Sequence, residues 1–319
     1  MTNGRQAFTP AVRDLVRADT RRVIVVGARG WIGRVTLDLL SNALGQAVDR
    51  RVVAFGSSDA MLTLASGATL QQRALDKLHE LPPAPSLLLH LAFLTKDKVG
   101  QMAETDYVDA NRALSAKVFK ACDQVGVDRL FIASSGAAAR AEDPNAKADM
   151  RLYGRLKRDD EEAAARWTEA RQGRQAAIGR IFSVSGPYIN KHETYALASF
   201  IRAARTAELI RVLAPRRVYR SYVAIRELMS VVFALLLNAQ EERVIRFETG
   251  GAALELETVA QTVAEICGGS VTRAAINEQD DDHYVGDDAA WQRLLARFDL
   301  RHVPLAEQVA ETAQGMAVA

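Results

Sequence analysis

What the chain has little of narrows the field first. It holds two cysteines in 319 residues, Cys122 and Cys267, too few for a disulfide framework and forming no metal-ligand motif. Both lie in apolar helical patterns, where a thiol serves as a small hydrophobe, and no metal site is expected. No uninterrupted apolar run approaches the ~20 residues that a membrane-spanning helix needs; Val231–Leu237 is too short. The formal net charge is +2, too small to argue for nucleic acid or an acidic membrane surface as partner. Residues 1–20 lack the apolar core of a leader and carry Arg13, Asp14, Arg17 and Asp19. They are read as an N-terminal arm, with the cytoplasm as the expected location. What remains is a soluble globular composition, 49% hydrophobic and 25% charged, long enough for one large domain or two smaller ones.

From residue 21 strand-like and helix-like segments alternate. Val23-Ile24-Val25-Val26 is a continuous apolar run, the pattern of a strand buried on both faces of a parallel sheet. A helix is expected over 31–44, closing at Gly45, then strands over 51–55 and 86–91. A long helix over 98–125 ends at Gly126, a suitable C-cap; a strand over 129–133 leads into Ser134-Ser135-Gly136. A polar helix over 152–169 follows, with Arg155/Asp159 and Arg158/Glu162 spaced as ion pairs, and then a strand over 175–182. The order predicts an α/β fold, a Rossmann-type doubly wound parallel sheet with ligands at the carboxyl ends of its strands. Residues 21–182 would form the dinucleotide-binding domain. Residues 183–319 would form a smaller C-terminal substrate-binding region, with some segments returning to the sheet domain.

Three residues carry the chemistry: Ser135, Tyr153 and Lys157. A tyrosine and a lysine four apart share a helix face. A free phenol, with a pKa of about 10, is a poor acid or base at neutral pH, and a nearby ammonium favours its ionised form. A serine hydroxyl facing the same point could bond the oxygen of an alcohol or carbonyl. The spacing alone is weak, since chance gives about 0.2 such pairs in a chain of this composition. The glycines upstream supply context. Gly27-Ala28-Arg29-Gly30-Trp31-Ile32-Gly33 sits between a strand and a helix, where glycines permit a tight turn and close approach of a pyrophosphate to the helix N-terminus. The second strand ends in Phe55-Gly56-Ser57-Ser58, without the acidic residue that grips the ribose of NAD. Arg29 offers a positive partner to a 2′-phosphate and Ser57 and Ser58 offer hydroxyls, so NADP is expected over NAD; Asp59 is placed to oppose that choice.

These residues together resemble the extended short-chain dehydrogenase/reductases, the NAD-dependent epimerase/dehydratase group, along nearly the whole chain from about residue 21. The matching features are Gly27, Gly30 and Gly33, His90-Leu91-Ala92, Asn111, Ser134-Ser135, Tyr153 with Lys157, Arg180-Ile181-Phe182 to Gly186-Pro187, and Arg220-Ser221-Tyr222-Val223. The resemblance implies a Ser-Tyr-Lys hydride-transfer site acting on a sugar or sugar nucleotide. It implies cofactor contacts from the glycine turn with Arg29, Trp31 and Ile32, and from Leu91, Ala92, Asn111, Tyr153 and Lys157. It also implies a substrate diphosphate held by Arg220 and a homodimer through the two long helices, whose apolar positions exceed what covering one sheet face requires. Departures are informative. Ser183 stands where the family often has Asn, and Ala139-Arg140 replaces a tyrosine-glycine pair. Gly136-Ala137 replaces the acidic pair of 4,6-dehydratases, which argues against expulsion of water.

Other residues have plainer readings. Arg202, Arg205, Arg211, Arg216 and Arg217 belong to a chain with 33 arginines and eight lysines, where solvated surface is the default; Arg220 is the one read as binding an anionic substrate. His192 could protonate a carbanion in an epimerase or lie in a surface loop. His90 is expected to be structural. Two alternatives stand beside the sugar-nucleotide reading: an NADPH-dependent carbonyl reductase of a non-sugar substrate, favoured by Ser183, and a non-catalytic dinucleotide-sensing protein on the same fold.

Overall fold

The structure, a computed structural model, describes residues 6–316. Two compact units share the chain: residues 6–181 with 229–247, and residues 182–228 with 248–316. Residues 1–5 of the segment read as an N-terminal arm lie outside the described residues. From Pro10 to Ala18 the rest of that segment is a helix, α1, with Val12 and Val16 buried on one side.

The first unit is built on a twisted sheet. Its strands are β1 (Arg22–Val26), β2 (Val52–Gly56), β3 (Ala60–Thr63), β4 (Thr69–Ala74), β5 (Ser86–His90), β6 (Val127–Ser135) and β7 (Gln175–Ile181). The order is β7-β6-β5-β1-β2-β4-β3, with Val244–Glu248 beyond β7. Every pairing from β7 through to β4 is parallel, and the order reverses between β1 and β5, the switch point where such sheets bind ligands. Helix α2 (Trp31–Leu44), the short α3 (Val48–Arg51), α4 (Glu104–Val125) and α5 (Ala148–Glu169) complete the alternation. The apolar runs are buried as expected: Ile24, Val25, Val26, Leu88, Leu89, Leu130 and Phe131 are wholly inside.

Three local differences have physical reasons. Between β2 and β5 stand a hairpin and a short 3-10 helix (Leu75–Glu80) rather than an α-helix; β4 runs parallel to β2 and antiparallel to β3, with the turn at Gly67, φ +82°. Helix α4 starts at Glu104, not at residue 98, because Gly100 adopts φ +85° and the acids Glu104 and Asp106 favour the positive end of the helix dipole. The ion pairs on α5 are not the expected ones. Asp159 meets Arg112 of α4, Glu162 meets Arg166, and Arg158 meets Glu142.

The apolar surplus expected on α4 and α5 is partly there: Ala113, Ala116 and Ala148 are exposed and Leu114 is half-buried. Their apolar residues Tyr107, Val118, Cys122, Leu152, Leu156 and Trp167 are buried within the unit. The exposed charged positions include Asp109, Arg112, Lys117 and Lys120 on α4, with Arg155, Asp159, Glu162 and Arg166 on α5.

The second unit holds two short strand pairs, a small three-stranded sheet and helices Ala196–Arg205, Leu256–Cys267, Asp288–Arg297 and Leu305–Gly315. A core of Leu197, Ile201, Ile210, Val259 and Val309 joins three of those helices. The buried Glu227 carboxylate accepts from Trp291 Nε1 at 2.7 Å, from His302 Nδ1 at 3.0 Å and from the Val303 amide at 2.8 Å, so its polarity is fully used. No helix among the described residues is long and apolar enough to cross a membrane.

Candidate active site

The glycine turn is a cradle that side chains would fill. Gly27 has φ +92°, and a Cβ there would lie 2.7 Å from the Ala92 nitrogen. A Cβ on Gly33 would lie 2.3 Å from the Gly27 carbonyl. The amides of Gly27 and Ala28 donate to Phe55 O, which binds the exit of β1 to the end of β2. Helix α2 opens at Gly30 with no side-chain cap and no acid in its first turn. Its N-terminal amides and dipole therefore suit an anion such as a pyrophosphate. Arg29 and Gly30 are exposed there, and Trp31 and Ile32 half-buried. The residues present fit the phosphate end of a dinucleotide.

At the end of β2, Ser57 and Ser58 are exposed, and Ser58 O accepts from the buried Gln72 amide at 2.7 Å. Asp59 is turned to β4: it accepts from Lys77 Nζ at 2.6 Å and from the Ala74 amide at 2.7 Å. The Lys77 ammonium foremost, and that amide, hold its carboxyl below the usual range. The acid that could have opposed a 2′-phosphate is thus engaged elsewhere.

The proposed reacting side chains converge at the end of β6. Ser135 is its last residue, and its Oγ accepts from the Ala137 amide at 3.2 Å, capping the turn Gly136–Arg140. Helix α5 reaches that turn through Gly154, where a Cβ would lie 2.2 Å from Ala137 O. Only glycine allows the approach, and it sits next to Tyr153. One turn on, Lys157 is 5% exposed and donates from Nζ to Ala133 O at 2.7 Å. Its ammonium lies 5.9 Å from the centre of the Tyr153 ring and 3.7 Å from the centre of the Phe93 ring; Phe93 meets Tyr153 edge-to-face at 5.6 Å.

Two buried acids lie behind Lys157 on α5. Glu161 accepts from Ser134 Oγ and makes a two-pronged pair with Arg180, both contacts at 2.9 Å. Ser134 and Arg180 are register partners on β6 and β7. Asp160 is bonded to Ser115, which meets His90 Nε2 at 3.4 Å. Burial lowers the Lys157 ammonium to about 8, with Asp160 and Glu161 opposing the shift. Burial also raises the Asp160 carboxyl despite Lys157 nearby, so desolvation outweighs attraction for both partners. His90 is pushed down to about 3 by burial and by Lys157, which makes it a neutral ring.

The structure therefore brings Ser135, Tyr153, Lys157, the glycine turn, Leu91 and Ala92 to the carboxyl ends of β1, β5 and β6. Asn111, expected to touch the cofactor, is buried with its amide used internally. Its Oδ1 accepts from the Leu94 amide at 2.8 Å and its Nδ2 donates to Tyr107 O at 3.1 Å; it fixes the loop that leaves β5. Ser183, His192 and Arg220 belong to the second unit. Ser183 pairs in register with Tyr222. His192 Nε2 is 2.6 Å from Ile189 O. Arg220 is not a bare cation: it bonds Asp282 Oδ2 at 2.9 Å and Tyr219 O at 2.7 Å. Sequence reasoning missed Phe93, Asp160 and Glu161. The acids had a signal, lying three and four residues after Lys157 on its own helix face; Phe93 had none.

No curated protein sequence matches the chain. Among solved structures it is similar to MoeE5 in complex with UDP-glucose and NAD, at 20% identity and TM-score 0.69, over 93% of this chain and 99% of that one. It is similar to Epimerase Mth375 from Methanothermobacter thermautotrophicus at 16% identity and TM-score 0.70, over 97% and 96%. It is also similar to the UDP-glucose 4-epimerase of Thermus thermophilus in complex with NAD, at 21% identity and TM-score 0.66, over 93% and 99%. At such identities the likeness establishes the fold. Residues 23–247, which take in the glycine turn and the Ser-Tyr-Lys cluster, match a family as well as a shape: the chain belongs to the NAD dependent epimerase/dehydratase family.

Proposed function

We propose that the protein is an NAD(P)-dependent epimerase or oxidoreductase of a sugar or sugar nucleotide, working through Ser135, Tyr153 and Lys157. The observation that supports this reading is the contact of α5 with the end of β6, Gly154 against Ala137 O and Lys157 Nζ on Ala133 O, on either side of which Tyr153 and Ser135 stand. When bound, the nicotinamide supplies or receives the hydride. Tyr153 exchanges a proton between its phenol oxygen and the substrate oxygen. Ser135 donates a hydrogen bond to that same oxygen and positions it. Lys157 holds the nicotinamide ribose and sets a positive charge beside the phenol, a charge that Asp160 and Glu161 help to retain. NADP(H) is preferred over NAD(H), because Asp59 is paired with Lys77 while Arg29, Ser57 and Ser58 stay exposed.

A dehydratase reaction is disfavoured, since Gly136 and Ala137 carry no acid to expel water. A carbonyl reductase of a non-sugar substrate is the second reading, favoured by Ser183. The deciding experiment incubates the protein with each dinucleotide and a panel of nucleotide sugars, following nicotinamide absorbance and product composition. Tyr153→Phe should lower turnover by about 10²–10⁴-fold with cofactor affinity nearly intact, and Arg29→Ala should weaken NADP(H) more than NAD(H). Wild-type turnover in Tyr153→Phe would end the mechanism; tighter NAD binding, indifferent to Arg29, would end the NADP preference.

A further inference from the structure

Lys157 has an unusual covering. Its ammonium donates to Ala133 O at 2.7 Å, and the face of the Phe93 ring lies 3.7 Å from it, centroid to nitrogen. That is well inside the ~6 Å over which a ring face attracts a cation. Phe93 also packs edge-on against Tyr153, so one side chain touches both residues assigned to the reaction. The backbone on either side is pinned. Leu91 N donates to Val26 O at 2.9 Å. Leu94 is clamped by Asn111 Oδ1 on its amide and by the Tyr107 hydroxyl on its carbonyl, at 2.8 and 2.7 Å. With Leu91 and Leu94 anchored on either side, the direct way for Phe93 to leave the lysine is rotation of its side chain.

We propose that Phe93 is a positioning residue of the hydride-transfer site: its ring caps the Lys157 ammonium and yields that face to the ribose hydroxyls of a dinucleotide. The inference rests on the reading of Lys157 as the ribose-holding residue. A buried ammonium whose one hydrogen-bond acceptor is a carbonyl is costly even with Asp160 and Glu161 nearby, and the ring compensates part of that cost until hydroxyl oxygens replace it. The ring therefore competes with the cofactor for one cation, and the dinucleotide binds more weakly than the glycine cradle alone would allow. Phe93 leaves the pyrophosphate end untouched, so the competition is confined to the ribose beside Tyr153.

The test uses the full chain with Phe93→Leu, which keeps an apolar side chain but has no ring face, and Phe93→Ala as the second variant. Dinucleotide dissociation constants are measured by calorimetry, and labelling of Lys157 by a small amine-acylating reagent is followed by mass spectrometry without cofactor. Expected are a dissociation constant lower by about two- to thirtyfold, the range a single cation–π contact spans, and faster Lys157 labelling in both variants. In a Lys157→Met background the same Phe93 change should leave the constant unmoved, which a merely structural role of Phe93 would not do. Unchanged affinity and labelling, in an enzyme that still turns over, would overturn the cap and leave the proposed function standing. Absence of dinucleotide binding in every variant would overturn both.

Discussion

Replacing Lys157 by Met should change how stability depends on pH, and the size follows from the burial of the ammonium. In the folded protein Lys157 titrates at about 8, against an ordinary value of 10.5. Between those values the unfolded chain holds one more proton than the native one, so wild-type stability rises with pH across that window. The burden of a buried ammonium is fully present below pH 8 and is relieved as the pH climbs toward 10.5. Integrating the linkage from pH 7 to pH 10 gives about 2.5 kcal/mol in favour of the wild type. No discount for solvent screening applies at 5% exposure. Lys157→Met lacks this term, and pH-independent packing differences cancel when the two stability curves are subtracted. Urea unfolding, followed by fluorescence of the three tryptophans at pH 7, 8.5 and 10, measures the difference. The gap between variant and wild type should move by about 2–3 kcal/mol over that range, while turnover is lost throughout. Parallel curves, agreeing within about 0.5 kcal/mol, would mean that Lys157 is not carried as a buried cation, and the electrostatic account of the site would fail.

Two further outcomes are expected. Arg220→Ala should raise the Michaelis constant for an anionic substrate by about tenfold, the low end for one charge-assisted contact because Asp282 already shares the guanidinium; an unchanged constant would make the pair architectural. A homodimer through α4 and α5 would bring charged positions together, and Arg112, Asp159, Glu162 and Arg166, paired within the chain, would exchange partners across the interface. Light scattering should therefore give twice the 34.8 kDa chain mass at low salt and shift toward one chain at high salt, and a single-chain mass at every salt concentration would end that proposal.

Elements whose burial is set by local pattern were legible in the sequence. Strand β1 is an unbroken apolar run, α2 is bracketed by Gly30 and Gly45, and α4 stops at Gly126 in the left-handed conformation. Each signal is complete within a few residues. The hairpin β3–β4 was not legible, because its inward residue Gln72 is polar in sequence yet wholly buried, held by Ser58 O from across the sheet edge. Similarly, Asp59 could be read only as an acid near the ribose position; its partner Lys77 lies 18 residues on and is brought to it by β4.

The candidate site divides in the same way. Tyr153 and Lys157 share a helix face, so their proximity is a local fact that spacing alone can express. Whether the lysine points at the phenol, at a carbonyl or at a ring depends on what β5 and β6 carry to that point. Ala133 comes from β6 and Phe93 from the loop that leaves β5, 24 and 64 residues away in sequence. No periodicity relates them to Lys157. The glycines show the same limit from the other side. Gly27, Gly30 and Gly33 announce themselves by spacing. Gly154 looks like an ordinary helix-interior residue until the Ala137 carbonyl is found 2.2 Å from where its Cβ would be. Substituting it by alanine would improve the intrinsic helix propensity of α5 and yet force apart the strand end and helix that bring Ser135 and Tyr153 together. The residue that local propensity disfavours is thus the one the site's geometry requires.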